Sequence, residues 1–301
     1  TSIIISKAAG PNVRFKYIIF RGEGVIDDPN AGAGTIVGQA NAAGAISVGA
    51  VLYLNTPAYG GTPTAASFSS RGGVLVNNEN RNKPDISGPN GVNTTVNLGG
   101  VNIDGDAFPN FFGTSAAAPH IAASIALLIE AKQKFSNTQI SNDSIKIILK
   151  NTALPLSDGA IVSGAGLIRA DEMIKTFAKP RPTLLSVEPV GGNNYEPGTE
   201  LLVKGLNISP ETKILFNGVE LNTSINGDTA ATAVIPDYVD TNPLVYLSTI
   251  PISTTQLDGG SSDTIGLFGP PKKIVRVVTD NKTRKFGETM QQSLKTWRKE
   301  L

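Results

Sequence analysis

The sequence predicts a two-domain chain, in which the C-terminal portion of an α/β domain with a parallel sheet is followed by an all-β sandwich. Two observations support this prediction. Residues 32–179 combine a Gly- and Ala-rich apolar strand with three helical segments. After the linker "KPRPT", the pattern changes to short alternating strands separated by Pro-Gly and Asn-Gly turns.

The elements follow one another in a simple order. Residues 1–24 alternate apolar and polar positions, as in short strands joined by the Gly10-Pro11-Asn12 turn. In residues 25–179, a buried strand ends near Val51, and helices are predicted at Ser115–Phe135, Ser141–Asn151 and Ala170–Phe177, the second with Ser141 as its N-cap. Residues 180–270 form the predicted sandwich. Residues 271–301 are the start of a further β-module or a disordered tail.

Composition restricts the classes of function. The chain has 301 residues, of which 40% are hydrophobic and 17% charged, which is typical of globular domains. The net charge of +1 gives no reason to expect a nucleic-acid partner. No apolar run reaches the roughly 18 residues that span a membrane, so no membrane span is expected. The absence of cysteine excludes disulfides and thiolate metal sites.

The stretch "FFGTSAAAPHIAASIALLIEA" carries the chemistry of the first domain. Gly113 permits close approach of another backbone, and Ser115 stands at the start of a helix, where its backbone N–H has no helical partner. Pro119 is expected to be tolerated because it falls in the first turn. A lone serine before an alanine-rich helix is more often an N-cap than a nucleophile.

The surrounding blocks favour the nucleophile. "GTSAAAPH" resembles the G-T-S-x-A-x-P-H motif of the subtilisin-like serine proteases, the subtilases. Upstream, "AAGAISVGAV", "ASFSSRGG" and "KPDISGPNGVNT" resemble further blocks of that family, in the same order, the last being K-P-D-I-x-A-P-G. "GAGLIRADEMI" resembles the segment that closes the catalytic domain. The resemblance covers about half of the chain.

The resemblance implies a serine endopeptidase that cleaves proteins or peptides through an acyl-enzyme on Ser115, whose backbone N–H donates to the oxyanion. It implies no required cofactor. It also implies an Asp and a His before the serine in chain order. The only histidine, His120, follows the serine and projects about 140° away from it around the helix. We therefore expect both residues in an upstream segment of the same protein, and the 301-residue chain to be inactive alone.

Two further features have competing interpretations. Asn12, in "AAGPN", resembles the oxyanion asparagine of the family's A-A-G-N block, but as a turn residue it needs no catalytic role. The other interpretation is that a β-domain is inserted between the family's asparagine and the "SVGAV" strand, so that residues 1–24 end that domain and the asparagine lies upstream. Asp104 and Asp106 in "NIDGDAFPN" have a spacing seen in calcium loops, which allows a structural calcium, but the remaining carboxylates are missing and a solvated turn is favoured. No other metal ligands are predicted.

Asp85 in "KPDI" is predicted to be a buried acid that bonds to loop backbone.

Residues 182–267 resemble the Ig-like TIG/IPT modules of bacterial surface proteins. The resemblances together imply an extracellular or cell-surface bacterial protein. The alternative function is a non-catalytic surface or adhesive protein that retains a degenerate protease domain. A sedolisin-type peptidase, which pairs its serine with Glu and Asp, is disfavoured by "SSRGG", "KPDI" and the Pro119-His120 pair.

Overall fold

The structure is a computed structural model that describes residues 4–12, 34–97, 101–192 and 194–268. The chain separates into two compact units. The first comprises Thr1–Lys179 together with Ile252–Asp258, and the second comprises Pro180–Pro251 and Gly259–Leu301. Most of the predicted segment 1–24 and all of 271–301 lie outside the described residues, so the module predicted to begin at residue 271 stays a prediction.

The first unit mixes helices with short strands. Its central pair is parallel: β1 and β4 run side by side with Val48 opposite Ile86 and Leu52 opposite Asn90. Two small antiparallel hairpins, β2–β3 and β5–β6, accompany this pair. The elements are β1 (Val48–Leu52), β2 (Leu75–Val76), β3 (Glu79–Asn80), β4 (Ile86–Asn90), β5 (Val92–Asn93), β6 (Asn110–Phe111), α1 (Thr114–Ser136), α2 (Asn142–Thr152), α3 (Ala160–Ser163) and α4 (Ala170–Lys175).

The long helix α1 contacts β1 and β4, and α4 contacts α1 and α2. The apolar side chains between these elements form two clusters, one around Leu128, Leu149 and Met173 and the other around Ile86 and Ile121. The predicted positions of the three helices are confirmed to within a few residues. Ser141 caps α2 as predicted, because its side chain accepts a hydrogen bond from the Ser144 N–H.

Within the described part of the chain, α1 is the one helix long and apolar enough to cross a membrane by length and composition. This is weak evidence for a membrane span, because the core helix of a soluble protein passes the same test. Ile121 and Leu128, among other side chains of α1, are buried in the first unit.

The prediction of N-terminal strands is wrong for the residues that the structure describes. Residues 4–12 contain no strand, although their apolar alternation predicts one. Ile4 is 86% exposed and Ile5 61% exposed. An alternating pattern forms a strand only when a neighbouring strand pairs with it, and no described residue pairs with this segment.

The second unit is built from two antiparallel sheets. One has the order β10–β9–β13–β14 with β15 also on β13, and the other has the order β11–β12–β8–β7. Both sheets contribute side chains to one core, which includes Leu201, Ile214 and Leu247. The strands are β7 (Thr183–Pro189), β8 (Glu200–Leu206), β9 (Thr212–Phe216), β10 (Val219–Glu220), β11 (Ser224–Asn226), β12 (Ala230–Val234), β13 (Leu244–Thr249), β14 (Gly260–Ser261) and β15 (Ile265–Gly266).

The predicted turns lie between these strands. Asn217 and Gly218 join β9 to β10 with φ angles of 48° and 84°, the positive values that a tight two-residue hairpin turn requires. Gly227, with φ 76°, lies between β11 and β12. The turn signals in the sequence therefore mark the strand ends correctly.

Candidate active site

Ser115 lies in the first turn of α1 and is exposed to solvent. The residue before the helix, Gly113, has φ 111° and ψ 169°, a conformation that L side chains rarely adopt. The N–H groups of Ala116 and Ala117 donate to the Gly113 carbonyl oxygen, at 3.0 and 3.3 Å. The Ser115 N–H donates to no described residue. The turn thus presents a hydroxyl and an unbonded N–H at the positive end of a helix.

Pro119 lies deeper in the helix than predicted. Because α1 begins at Thr114, Pro119 is in the second turn and inside the helix, and the expectation that it belongs to the first turn is wrong. A proline has no N–H, so the Ser115 carbonyl oxygen has no partner four residues on. The first turn is therefore held less by helical bonds than by its packing on the strands below.

The floor beneath this turn is the end of β4. A Cβ on Gly88 would lie 2.9 Å from the Ala117 carbonyl oxygen, so only glycine lets the strand pass so close to α1. Asn90, which is 1% exposed, places its Oδ1 3.5 Å from the Gly113 nitrogen, which donates to it. At Gly91 (φ 75°), a Cβ would lie 3.0 Å from the Phe112 ring. Glycine at positions 88 and 91 thus allows β4 and the residue after it to pack closely against the serine turn.

A buried charge cluster lies at the other end of β4. Asp85 Oδ2 accepts from the Ser47 N–H at 2.9 Å and from Lys83 Nζ at 2.6 Å. Lys83 Nζ also donates to the Ala45 carbonyl oxygen, and Lys150 Nζ lies 3.5 Å from Asp85 Oδ1. The prediction that Asp85 is a buried acid bonded to loop backbone is confirmed. The cluster holds the segment before β1 against the start of β4.

The loop before the serine is pinned by a polar network. The Tyr53 hydroxyl donates to Asp104 Oδ2 at 2.5 Å, and Asn110 Nδ2 donates to the same oxygen at 3.3 Å. The hydrogen bond to Asp104 raises the pKa of Tyr53 to about 12, with burial and the Asp104 charge adding to the effect. The same bond from Tyr53 lowers the pKa of Asp104, although burial opposes it.

These contacts bear on the calcium hypothesis. Asp106 accepts from the Asn93 amide and, at 2.7 Å, from the Phe108 N–H. Calcium takes six to eight oxygen ligands. Among the described residues no group of three or more His, Cys, Asp or Glu side chains converges, and the carboxylates of Asp104 and Asp106 are already hydrogen-bonded. Because backbone and amide oxygens also serve as calcium ligands, a structural calcium at this loop stays a prediction.

The other candidate residues are placed as follows. His120 is half-buried, and its Nδ1 lies 2.8 Å from the Ala116 carbonyl oxygen of its own helix, so Nδ1 carries the proton and donates. No hydrogen bond among the described residues joins His120 to Ser115. Asn12 is exposed, and its Oδ1 accepts from Lys7 Nζ at 2.8 Å. The structure brings neither side chain into hydrogen bonding with the serine.

Sequence reasoning missed Asn90 and Tyr53. The only signal for Asn90 is that "SGPNG" has one residue more than x-A-P-G, between Pro89 and Gly91. Tyr53 and Asp104 are separated by fifty-one positions, and no local pattern connects them.

Ser115 is therefore exposed at the start of an alanine-rich helix that packs on the parallel strands β1 and β4. The family profile of Peptidase S8, described as the subtilase family, matches residues 3–180. This chain therefore belongs to the subtilase family, which is a family of serine proteases.

Individual relatives each match about half of the chain. Minor extracellular protease Vpr of Bacillus subtilis (strain 168) is 34% identical over 166 residues, which are 53% of this chain and 18% of Vpr. Subtilisin Savinase of Lederbergia lenta is 34% identical over 142 residues, 47% of this chain and 42% of Savinase. A solved lanthipeptide protease has a TM-score of 0.37 and 20% identity over 48% of this chain and 47% of its own. The chain thus spans less than half the length of these relatives.

Proposed function

We propose that the protein containing this chain is a serine endopeptidase in which Ser115 is the nucleophile. The observation that supports the proposal is the geometry of Ser115. Its side chain is exposed, and its N–H, free of any described partner, lies at the N-terminus of a 23-residue helix. Such a donor stabilises the negative charge that develops on a carbonyl oxygen under attack.

The proposed reaction proceeds in two halves. Ser115 Oγ attacks the scissile carbonyl carbon while a histidine takes its proton, and the carbonyl oxygen becomes an oxyanion to which the Ser115 N–H donates. The intermediate collapses, the histidine gives its proton to the leaving amine, and an ester to Ser115 remains. Water, deprotonated by the same histidine, then hydrolyses the ester and frees Ser115. Only side chains and backbone take part.

The histidine of this scheme is not His120, whose Nδ1 donates to the Ala116 carbonyl oxygen. We propose that the histidine and the aspartate that orients it come from an upstream segment of the same protein, and so does the second oxyanion donor. Asn12 remains the weaker candidate for that donor, because Pro11 interrupts the A-A-G-N pattern in "AAGPN". The 301-residue chain by itself is then inactive.

The substrate is a protein or peptide, and the proposed location is outside a bacterial cell. One relative carries the name extracellular protease, and this supports the location. The second unit is proposed to be an Ig-like module of the TIG/IPT kind, which would serve as a spacer or adhesive unit. Its two antiparallel sheets around one core support that assignment.

The second candidate function is a non-catalytic surface protein with a degenerate protease domain. It is favoured by the one histidine of the chain, which is not hydrogen-bonded to the serine. The two candidates differ in what Ser115 can do in the whole protein, so a chemical probe of the serine separates them.

The experiment is fluorophosphonate labelling, read by mass spectrometry of the Ser115 peptide. The whole protein is expected to label at Ser115 and the Ser115→Ala variant to lose the label, while the 301-residue chain stays unlabelled. Labelling of the chain alone at Ser115 would refute the proposal that its base is missing. A folded whole protein that does not label would support the adhesive alternative instead.

A further inference from the structure

Asn90 is a buried polar residue that the proposed mechanism does not use. It is 1% exposed, and its Nδ2 has no hydrogen-bond partner among the described residues. Its Oδ1 accepts from the Gly113 N–H at 3.5 Å. A buried amide with unpaired N–H groups destabilises a fold, and an apolar side chain would avoid that penalty. The hydrogen bond from the Gly113 N–H to Asn90 Oδ1 offsets part of this penalty.

The position of Asn90 follows from the geometry of β4 and α1. Side chains on a strand alternate, so Ile86, Gly88 and Asn90 share the face that packs on α1. Gly88 lies under Ala117. Asn90 is two residues further along β4 than Gly88, and it lies under Gly113, which is four residues before Ala117. Two strand residues and four helix residues both span about 6 Å, so strand and helix stay in register.

Gly113 is the residue that gives the serine turn its shape. It precedes α1 with φ 111°, and, being glycine, has no side chain to cap the helix. Its N–H points to Asn90, and its carbonyl oxygen accepts from Ala116 and Ala117. With both groups bonded, the peptide planes on either side of Gly113 are fixed, and they determine where the chain enters the first turn of α1, in which Ser115 lies.

The sequence supports a dedicated role. Asn90 is the extra residue of "SGPNG" relative to the family pattern x-A-P-G, so a feature of this chain rather than of the pattern supplies the contact. We propose that Asn90 is a positioning residue for Ser115, which acts by holding the Gly113 N–H through its Oδ1. This inference rests on the proposed function of Ser115.

The test compares two variants of Asn90 with a matched control. Asn90→Leu removes the acceptor with the same number and branching of side-chain heavy atoms, and Asn90→Asp keeps an acceptor oxygen, since burial without a cation favours the protonated, uncharged acid. The control is Asn41→Leu, because Asn41 also makes one hydrogen bond, from its Nδ2 to the Ile36 carbonyl oxygen at 2.7 Å, and also has one buried unpaired atom. Asn41 lies in the turn before β1 and touches neither Gly113 nor Ser115 through any hydrogen bond.

The first measurement is amide hydrogen exchange of Gly113 in the 301-residue chain, followed by NMR. In Asn90→Leu the exchange is expected to be about fivefold faster, the factor that loss of one hydrogen bond of average strength produces. Asn90→Asp and Asn41→Leu should keep the wild-type rate. An unchanged Gly113 rate in Asn90→Leu overturns the proposal, and this readout needs no enzymatic activity.

The second measurement is peptide hydrolysis by the whole protein. Asn90→Leu is expected to lower kcat about tenfold or more with KM near the wild-type value, because misplacing a reacting group affects the chemical step. Asn90→Asp should restore most of kcat. Equal losses in Asn41→Leu and Asn90→Leu would reveal a general stability effect and overturn the positioning role. If wild-type Ser115 is unreactive, the proposed function fails, while Gly113 exchange still decides whether Asn90 holds the turn.

Discussion

The two units of this chain bury their side chains in different ways. In the described part of the second unit, twelve buried apolar residues form one continuous cluster. In the described part of the first unit the two core clusters are smaller, with four and three buried residues, and α1 leaves Leu127 and Ile129 nearly half exposed. The packing of the first unit relies instead on glycine residues, which let neighbouring segments come close together, and on buried polar contacts such as the Lys83–Asp85 ion pair.

The difference shows how each unit relates to function. The described part of the second unit is stabilised chiefly by its continuous apolar core. The first unit carries polar and charged groups in its interior, which cost stability unless they are fully paired. Of these, Asn90 contacts the serine turn, whereas the Lys83–Asp85 pair lies at the other end of β4. Substitutions should therefore affect the two units through different physical effects.

The largest expected effect is at the buried ion pair of the first unit. Asp85→Asn leaves the Lys83 ammonium without its counter-charge, and loss of one partner of a buried pair costs about 3–5 kcal/mol of unfolding free energy. The matched control in the second unit is Glu188→Gln, which removes an exposed pair with Lys204 and should cost about 0–1 kcal/mol. Urea unfolding, followed by hydrogen exchange in peptides of each unit, measures both.

A double variant sharpens this prediction. Lys83→Met combined with Asp85→Leu removes both buried charges, so it should be less harmful than Asp85→Asn alone. If the single variant is as stable as the wild type, the buried pair does not hold the first unit together and the contrast between the units fails.

The second expected effect is in the core of the second unit. Leu247 is 0% exposed, and Leu247→Ala should cost about 2–5 kcal/mol through lost burial and the cavity it leaves. The same substitution at Leu127, which is 48% exposed on α1, should change stability by about 0.5 kcal/mol or less. Thermal and urea unfolding of the two variants tests the contrast directly, and equal losses would contradict it.

The smallest expected effect is at the Tyr53–Asp104 bond. The pKa of Tyr53 is raised to about 12, so the stability linked to this proton is fully present below the ordinary tyrosine pKa of about 10 and is lost as pH rises through about 12. The pKa of Asp104 is lowered, so its contribution is present above the ordinary carboxyl range and is lost as the solution becomes acidic.

Subtracting the ultraviolet titration curve of the Tyr53→Phe variant from that of the wild type leaves the ionisation of Tyr53. The difference spectrum should show one phenol ionising near pH 12. Tyr59, whose ring packs edge-on against Tyr53, provides the control variant Tyr59→Phe. A difference spectrum that titrates near pH 10 would show that the bond to Asp104 is absent in solution.

Local patterns in the sequence predicted much of the architecture. The helices followed from apolar periodicity, Ser141 from cap chemistry, and the β9–β10 turn from Asn217-Gly218, because each depends on residues within a few positions. In the described residues 4–12 the predicted strand is absent for the opposite reason: a strand needs a partner that the alternation itself does not specify.

Contacts between distant residues were beyond the reach of these patterns. Asp258, in the part of the first unit formed by Ile252–Asp258, accepts from the backbone N–H groups of Lys179 and Ile252, at 2.8 and 3.0 Å. Burial alone would raise the pKa of Asp258, but hydrogen bonds from the Ser253 hydroxyl and these N–H groups outweigh it and lower the pKa to about 2. In the same segment, the Thr255 N–H donates to the Phe135 carbonyl oxygen at the end of α1.

The sequence by itself determined that a serine with small neighbours begins an apolar helix, and that the later half of the chain is built from short strands. Those properties are local, set by periodicity, caps and turn residues. Only the tertiary structure decided that Asn90 lies beneath Gly113 and that Tyr53 binds Asp104. Such contacts depend on how strands and helices pack in space, because residues that are fifty positions apart in the sequence can lie as close together as neighbours in the chain.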